Sequence, residues 1–89
     1  MRKSDIAKEN VSRLASIGLA AMEHETARVK ASVELAGLRA ARKEEDCPTI
    51  KLKAWEHDYA AAAKARKNSR ARLQREIARY HEWRREVNA

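Results

Sequence analysis

Apolar residues recur through the second half of the chain at alternating intervals of three and four. One position of this seven-residue repeat holds Leu52, Tyr59, Arg66, Leu73, Tyr80 and Val87, and the other holds Trp55, Ala62, Ser69, Glu76 and Trp83. A repeat of this length keeps one side of a helix against a partner helix. The pattern therefore predicts a coiled-coil seam with a polar middle.

The first half of the chain carries two apolar stripes at helical spacing. The first stripe comprises Val11, Leu14, Gly18, Met22, Val29, Val33, Ala36 and Ala40. The second stripe, rotated around the same helix, comprises Ile6, Ile17, Ala20, Ala27, Ala31, Leu35 and Leu38. One partner helix covers only one of them. We assign the first stripe to the seam and expect the second to be exposed, which usually marks another interface.

Composition and chain breaks predict a single all-α domain over residues 1–89. Eighteen alanines against two glycines and one proline favour long helices. We expect helix 1 over about 4–44, with Ser4 as its N-cap, a turn over 45–48, and helix 2 over about 48–87, with Pro48 in its first turn. So short a turn predicts an antiparallel helical hairpin in which facing residue numbers add up to about 95. Gly18 and Gly37 lie inside helix 1 and are interpreted as packing glycines.

An isolated hairpin with an alanine-rich seam is marginally stable, which predicts a further partner. A symmetric dimer, giving a four-helix bundle, is the simplest closure, and a different protein on the same stripe is the competing one. The predicted protein interface comprises Ile6, Ile17, His24, Ala31, Leu35 and Leu38. In an antiparallel dimer His24 would lie near its own copy.

The net charge of +7 is concentrated in the second half of the chain. Glu76 is the only acid from Lys64 to Tyr80, whereas cations recur there at helical spacing. The predicted binding set comprises Lys64, Lys67, Asn68, Arg72, Arg75 and Arg79. Such a stripe suits nucleic-acid phosphates or an acidic protein surface. A solvated helix face is the alternative interpretation.

Two further contacts are predicted beside this set. Arg66 and Arg70 fall opposite Glu25 in the predicted register, so we assign these three residues to a structural ion pair that fixes the register. Trp83 lies at the end of the seam among basic residues and is the best aromatic candidate for a contact.

Other classes of function have little support. No nucleophile and base, phosphate loop or dinucleotide motif occurs, so we expect no enzyme, cofactor or small-molecule substrate. The three histidines lack metal-ligand spacing with each other or with Cys47, and no metal site is expected. Cys47 is either a redox handle or an incidental loop cysteine. The sequence has no apolar run long enough for a membrane span and none placed as in a signal peptide. Together with the lone cysteine, this predicts a cytoplasmic protein that does not bind membranes.

Two hypotheses of function remain. The first is a nucleic-acid-associated regulator that holds DNA or RNA phosphates on the helix 2 cations. The second is a small adaptor or inhibitor of the kind that phages and mobile elements encode. It would dock on a larger machine through the second stripe of helix 1.

Overall fold

Two long antiparallel helices make up the structure. The computed structural model describes residues 2–89 and contains α1 (Lys3–Lys43) and α2 (Thr49–Asn88), joined by residues 44–48. The molecule measures 67 × 16 × 15 Å. This confirms the predicted all-α helical hairpin, and all four predicted helix ends lie within one residue of the observed ones.

The ends of the helices follow from local chemistry. Glu44 and Pro48 both have non-helical backbone conformations, so the chain leaves the helical path at both ends of the connection. Asp5 lies in the first turn of α1, at the positive end of the helix dipole, and Lys43 lies in the last turn, at the negative end. Both charges interact favourably with the dipole. Arg2 rather than Ser4 occupies the N-cap of α1, and no side chain bonds to the helix end there.

The face that α1 turns towards α2 differs from the predicted one. Most shielded positions follow a three-four repeat, and Glu9, Ala21, Leu35 and Gly37 are half-buried beside it. The repeat comprises Ile6, Asn10, Arg13, Ile17, Ala20, His24, Ala27, Ala31, Glu34, Leu38 and Ala41. The second stripe therefore forms the seam. The first stripe lies outside, with Val11 and Met22 more than two-thirds exposed.

This correction has a physical reason. The second stripe keeps its seven-residue repeat once polar residues such as Asn10, Arg13 and His24 are counted as members. The first stripe is interrupted at Glu25, and its three-four alternation breaks twice, with two successive intervals of four from Leu14 to Met22 and again from Glu25 to Val33. A coiled-coil seam requires continuity of phase more than uniform hydrophobicity, provided that the polar members find partners.

Most polar members of the seam do find partners. His24 Nδ1 lies 2.9 Å from Ser69 Oγ, and the Tyr80 hydroxyl donates to Asn10 Oδ1 at 2.7 Å. The Ser69 hydroxyl also donates to the carbonyl of Arg66 at 2.9 Å, so this serine connects the imidazole of α1 to the backbone of α2. These bonds join residues 45 and 70 positions apart and so fix the register of the hairpin.

On α2 every position of the repeat found in the sequence is shielded apart from Arg66, and Ala63, Ala71 and Arg84 are half-buried beside it. Trp83 is 7% exposed and closes one end of the seam, where the guanidinium of Arg13 lies 5.1 Å from its ring centroid. Leu38 is 2% exposed and is the largest fully buried side chain. The core is accordingly narrow and rich in alanine.

The two glycines of α1 have opposite environments. A Cβ at Gly37 would collide with the ring of Trp55, which lies directly on the bare backbone. Gly37 is thus a packing glycine, as predicted. A Cβ at Gly18 would meet nothing within 4 Å apart from its chain neighbours and its own helix backbone, so the same interpretation of Gly18 is wrong within the hairpin.

We predict that Gly37→Ala destabilises the protein by about 1–2 kcal/mol, because the added methyl displaces the Trp55 ring. In a Trp55→Leu background the same change should stabilise by about 0.5–1 kcal/mol, since only the gain in helix propensity remains. Chemical unfolding followed by circular dichroism measures both values. A stabilising effect of Gly37→Ala in the unmodified chain would contradict the observed packing.

Candidate nucleic-acid interface

Seven cations cover the outer half of α2 between residues 64 and 79. They are Lys64, Arg66, Lys67, Arg70, Arg72, Arg75 and Arg79, and every one of them is exposed. Asn68 and Gln74 are exposed among them. We call these seven side chains the basic surface. It is about 22 Å long at 1.5 Å per residue.

The shape of the basic surface follows from its positions in the helix. Because the seam occupies one side of α2, residues at the other positions of the repeat point sideways or outwards. Arg70 lies on one flank, Arg72 and Arg79 lie on the opposite flank, and Lys64 and Arg75 lie between them. The predicted narrow stripe is therefore a broad half-cylinder of positive charge.

Carboxylates engage only two members of the basic surface among residues 2–89. Arg72 Nη1 lies 2.5 Å from Oε2 of Glu23 on α1, and Arg79 Nη1 lies 3.4 Å from Oε1 of Glu76. Both arginine side chains remain more than half exposed, so these ion pairs are weakened by water and salt. An incoming phosphate can therefore compete for both guanidinium groups.

The predicted ion pair of Glu25 with Arg66 and Arg70 is not formed. Glu25 bonds instead to Arg28, one turn further along α1, at 2.6 and 3.0 Å. This hydrogen bond lowers the pKa of Glu25 and raises the pKa of Arg28. The reason is the rotation of α1, which moves Glu25 to the outer side of the hairpin. Arg66 and Arg70 consequently join the cations available for binding.

A groove of about 290 Å³ lies beside the basic surface between the two helices. Ala31, Ser32, Leu35, Tyr59 and Ala63 line its walls. Arg66, Lys67 and Arg70 line the same groove from α2, so a partly apolar pocket adjoins three cations. Sequence reasoning missed this groove because it depends on the rotation of α1.

The residues predicted as a protein interface lie elsewhere than expected. Ile6, Ile17, His24, Ala31, Leu35 and Leu38 all lie at or beside the seam within the hairpin. Ala31 is 3% and Leu38 2% exposed, so neither is available to another protein while the hairpin is closed. Trp83 is likewise covered, which removes it as a stacking platform.

The remaining candidate groups form no site. Within the described residues, no three histidine, cysteine or acidic side chains come together as metal ligands. Cys47 lies in the connection and has no cysteine partner. Neither helix contains a stretch that is both long enough and apolar enough to cross a membrane.

The chain matches no protein-family model, and neither a curated protein nor a solved structure is significantly similar to it. The residues and their arrangement are consequently the basis for any statement about function.

We predict that Arg72→Ala and Glu23→Ala each destabilise the hairpin by less than about 1 kcal/mol, because their ion pair is on the surface. Tyr80→Phe, which removes a contact between the helices inside the seam, should cost about 1–2 kcal/mol and serves as the comparison. Urea unfolding of the three variants tests the order. A larger loss from Arg72→Ala than from Tyr80→Phe would show that Arg72 is a structural residue.

Proposed function

We propose that this protein is a nucleic-acid-associated regulator that holds DNA or RNA phosphates on the basic surface of α2. The observation that carries the proposal is the absence of compensation within residues 2–89: five of the seven cations have no carboxylate within ion-pair distance. They are Lys64, Arg66, Lys67, Arg70 and Arg75. Lysine and arginine bind phosphates and release condensed counterions, which favours association.

The form of the basic surface supports a phosphate backbone as the ligand. A straight helix with cations spread over half its circumference can contact phosphates on both sides of itself. The exposed amides of Asn68 and Gln74 lie within the same surface and are suitable hydrogen-bond partners for phosphates or base edges. Binding through shape and charge, with little base readout, is the mode that this composition favours.

The alternative function, a docking adaptor or inhibitor, has less support because its predicted docking surface is covered within the hairpin. Its proposed docking residues Ile17, Leu35 and Leu38 pack at the seam of the hairpin. The basic surface can still meet an acidic protein. An acidic groove would, however, have to surround half of α2 to engage both flanks, whereas nucleic-acid phosphates are available on most sides.

The test is fluorescence anisotropy of labelled duplex DNA, single-stranded DNA and structured RNA, titrated with the protein at several salt concentrations. If about five phosphates of a duplex are neutralised, the logarithm of the association constant should fall with the logarithm of salt with a slope near −4.5. The triple variant Lys64→Gln, Lys67→Gln and Arg75→Gln should flatten that slope by about 2.7. It should weaken binding about tenfold or more near physiological salt.

A matched control separates the basic surface from net charge. Lys3→Gln, Lys8→Gln and Lys53→Gln remove the same three charges from exposed positions outside the basic surface. These changes should leave most of the affinity and the salt slope in place. Equal losses in both triple variants would show that the positive charge acts non-specifically. Loss of all binding by physiological salt would redirect the search to an acidic protein.

A further inference from the structure

The outer side of α1 is apolar although nothing in the hairpin covers it. Val11, Leu19, Met22, Val29 and Val33 are between 47% and 69% exposed and lie on the side facing away from α2. Ala15, Gly18, Ala36 and Ala40 are exposed on the same side. We call these nine residues the outer face. Exposed apolar surfaces of this length in small proteins mark interfaces.

Gly18 gives a second and independent indication. Glycine weakens a helix interior, and the hairpin offers no compensating contact, because α2 places no atom within 4 Å of a Cβ there. Its position in the outer face would let another helix approach closely. Gly37 does the same for Trp55 inside the hairpin.

The outer face is nearly palindromic about a point between Glu25 and Thr26. Reversing the chain about that point places Val11 on Ala40 and Gly18 on Val33, so a large residue meets a small one. The same operation places Met22 on Val29 and Ala15 on Ala36. An antiparallel two-fold pair of helices requires this symmetry. Each residue of one copy contacts the residue of the other copy that lies equally far along the chain on the other side of the axis. Two residues lack an exposed apolar counterpart: Leu19 falls on Ser32, and Leu14, which is 47% exposed at the edge of the face, falls on Gly37 under the Trp55 ring.

The charges beside the outer face also favour an antiparallel second copy. Glu25 and Arg28 lie three residues apart on one edge, and Glu23 and Lys30 lie seven residues apart on the other. In an antiparallel pair, Glu25 of one copy would lie about 3 Å along the helix axis from Arg28 of the other copy. Glu23 would lie equally close to Lys30 of the other copy. Parallel pairing would place each of these charges beside its own copy and would be unfavourable.

We propose that the outer face of α1 is a homodimer interface, in which two copies pack antiparallel about a two-fold axis between Glu25 and Thr26. The two α1 helices would form the centre of the dimer, with α2 of each copy on the outside. The basic surfaces point away from the interface, so the dimer presents two of them. This inference does not depend on nucleic-acid binding.

The size of the face indicates the strength of the pairing. From Val11 to Ala40 it is about 43 Å long, and a helix about 10 Å wide gives a projected area on the order of 400 Å² per copy. For both copies together this is on the order of 800 Å², which is less than standard specific interfaces bury and typical of a weak, transient pair. We therefore expect a dissociation constant in the micromolar range, measured by sedimentation equilibrium.

Disulfide crosslinking tests both the face and the direction of pairing. In a Cys47→Ser background, Thr26→Cys lies near the axis and should crosslink to its own copy in a glutathione redox buffer. Val11→Cys alone should not crosslink, because its copy would lie about 43 Å away. Val11→Cys combined with Ala40→Cys should crosslink at both ends, since disulfides require Cα atoms within about 7 Å.

Each other outcome overturns the proposal. Crosslinking of Val11→Cys alone would show parallel pairing. A monomer at a concentration of several hundred micromolar would show that the outer face does not associate. A dimer in which none of these cysteines crosslinks would show that another surface is used.

Gly18→Leu distinguishes specific packing from general stickiness. The change improves helix propensity and adds apolar surface, so the hairpin should remain folded by circular dichroism. Leucine would collide with Val33 of the second copy, and we expect the dimer to weaken about tenfold or more. Ala60→Leu, at an exposed position of α2, is the control and should leave dimerisation unchanged. Stronger association of Gly18→Leu would overturn the proposed register.

Discussion

The rotation of α1 about its own axis is the constraint that decides the seam, the groove beside it and the outer face of this protein. Trp55 packs on the bare backbone of Gly37, and His24 bonds to Ser69. If α1 were turned to present its more apolar stripe to α2, both contacts would be lost. His24 and Ser69 would then no longer bond to each other. The seam is thus specified by the fit of a few large and polar side chains, while alanines supply close approach between them.

This rotation separates two surfaces that the sequence interleaves. The cations of α2 face one side of a molecule only about 16 Å wide, and the outer face of α1 faces the other. If both proposals hold, a nucleic acid on the basic surface would leave the outer face uncovered, because neither surface covers the other. It also explains why Glu25, which interrupts the outer face, pairs locally with Arg28 and leaves Arg66 and Arg70 free.

Much of the candidate site was predictable, because cations at helical spacing on one helix stay neighbours however that helix is turned about its axis. α2 presents its seam through the repeat that includes Tyr59, Leu73 and Tyr80, so the positions of Lys64, Lys67 and Arg75 outside the seam follow from spacing alone. Arg66 and Arg70 were assigned wrongly because their interpretation required a partner on the other helix. The groove beside Tyr59 was missed for the same reason.

The sequence alone determined two helices, their ends and their antiparallel order, because helix propensity, Pro48 and a short connection are local properties of the chain. It did not determine which stripe of α1 forms the seam. Both stripes have helical spacing, and hydrophobicity favoured the wrong one. Only the tertiary structure decided between them, since the choice depends on whether Asn10 and His24 find partners and whether a tryptophan finds a glycine across the hairpin.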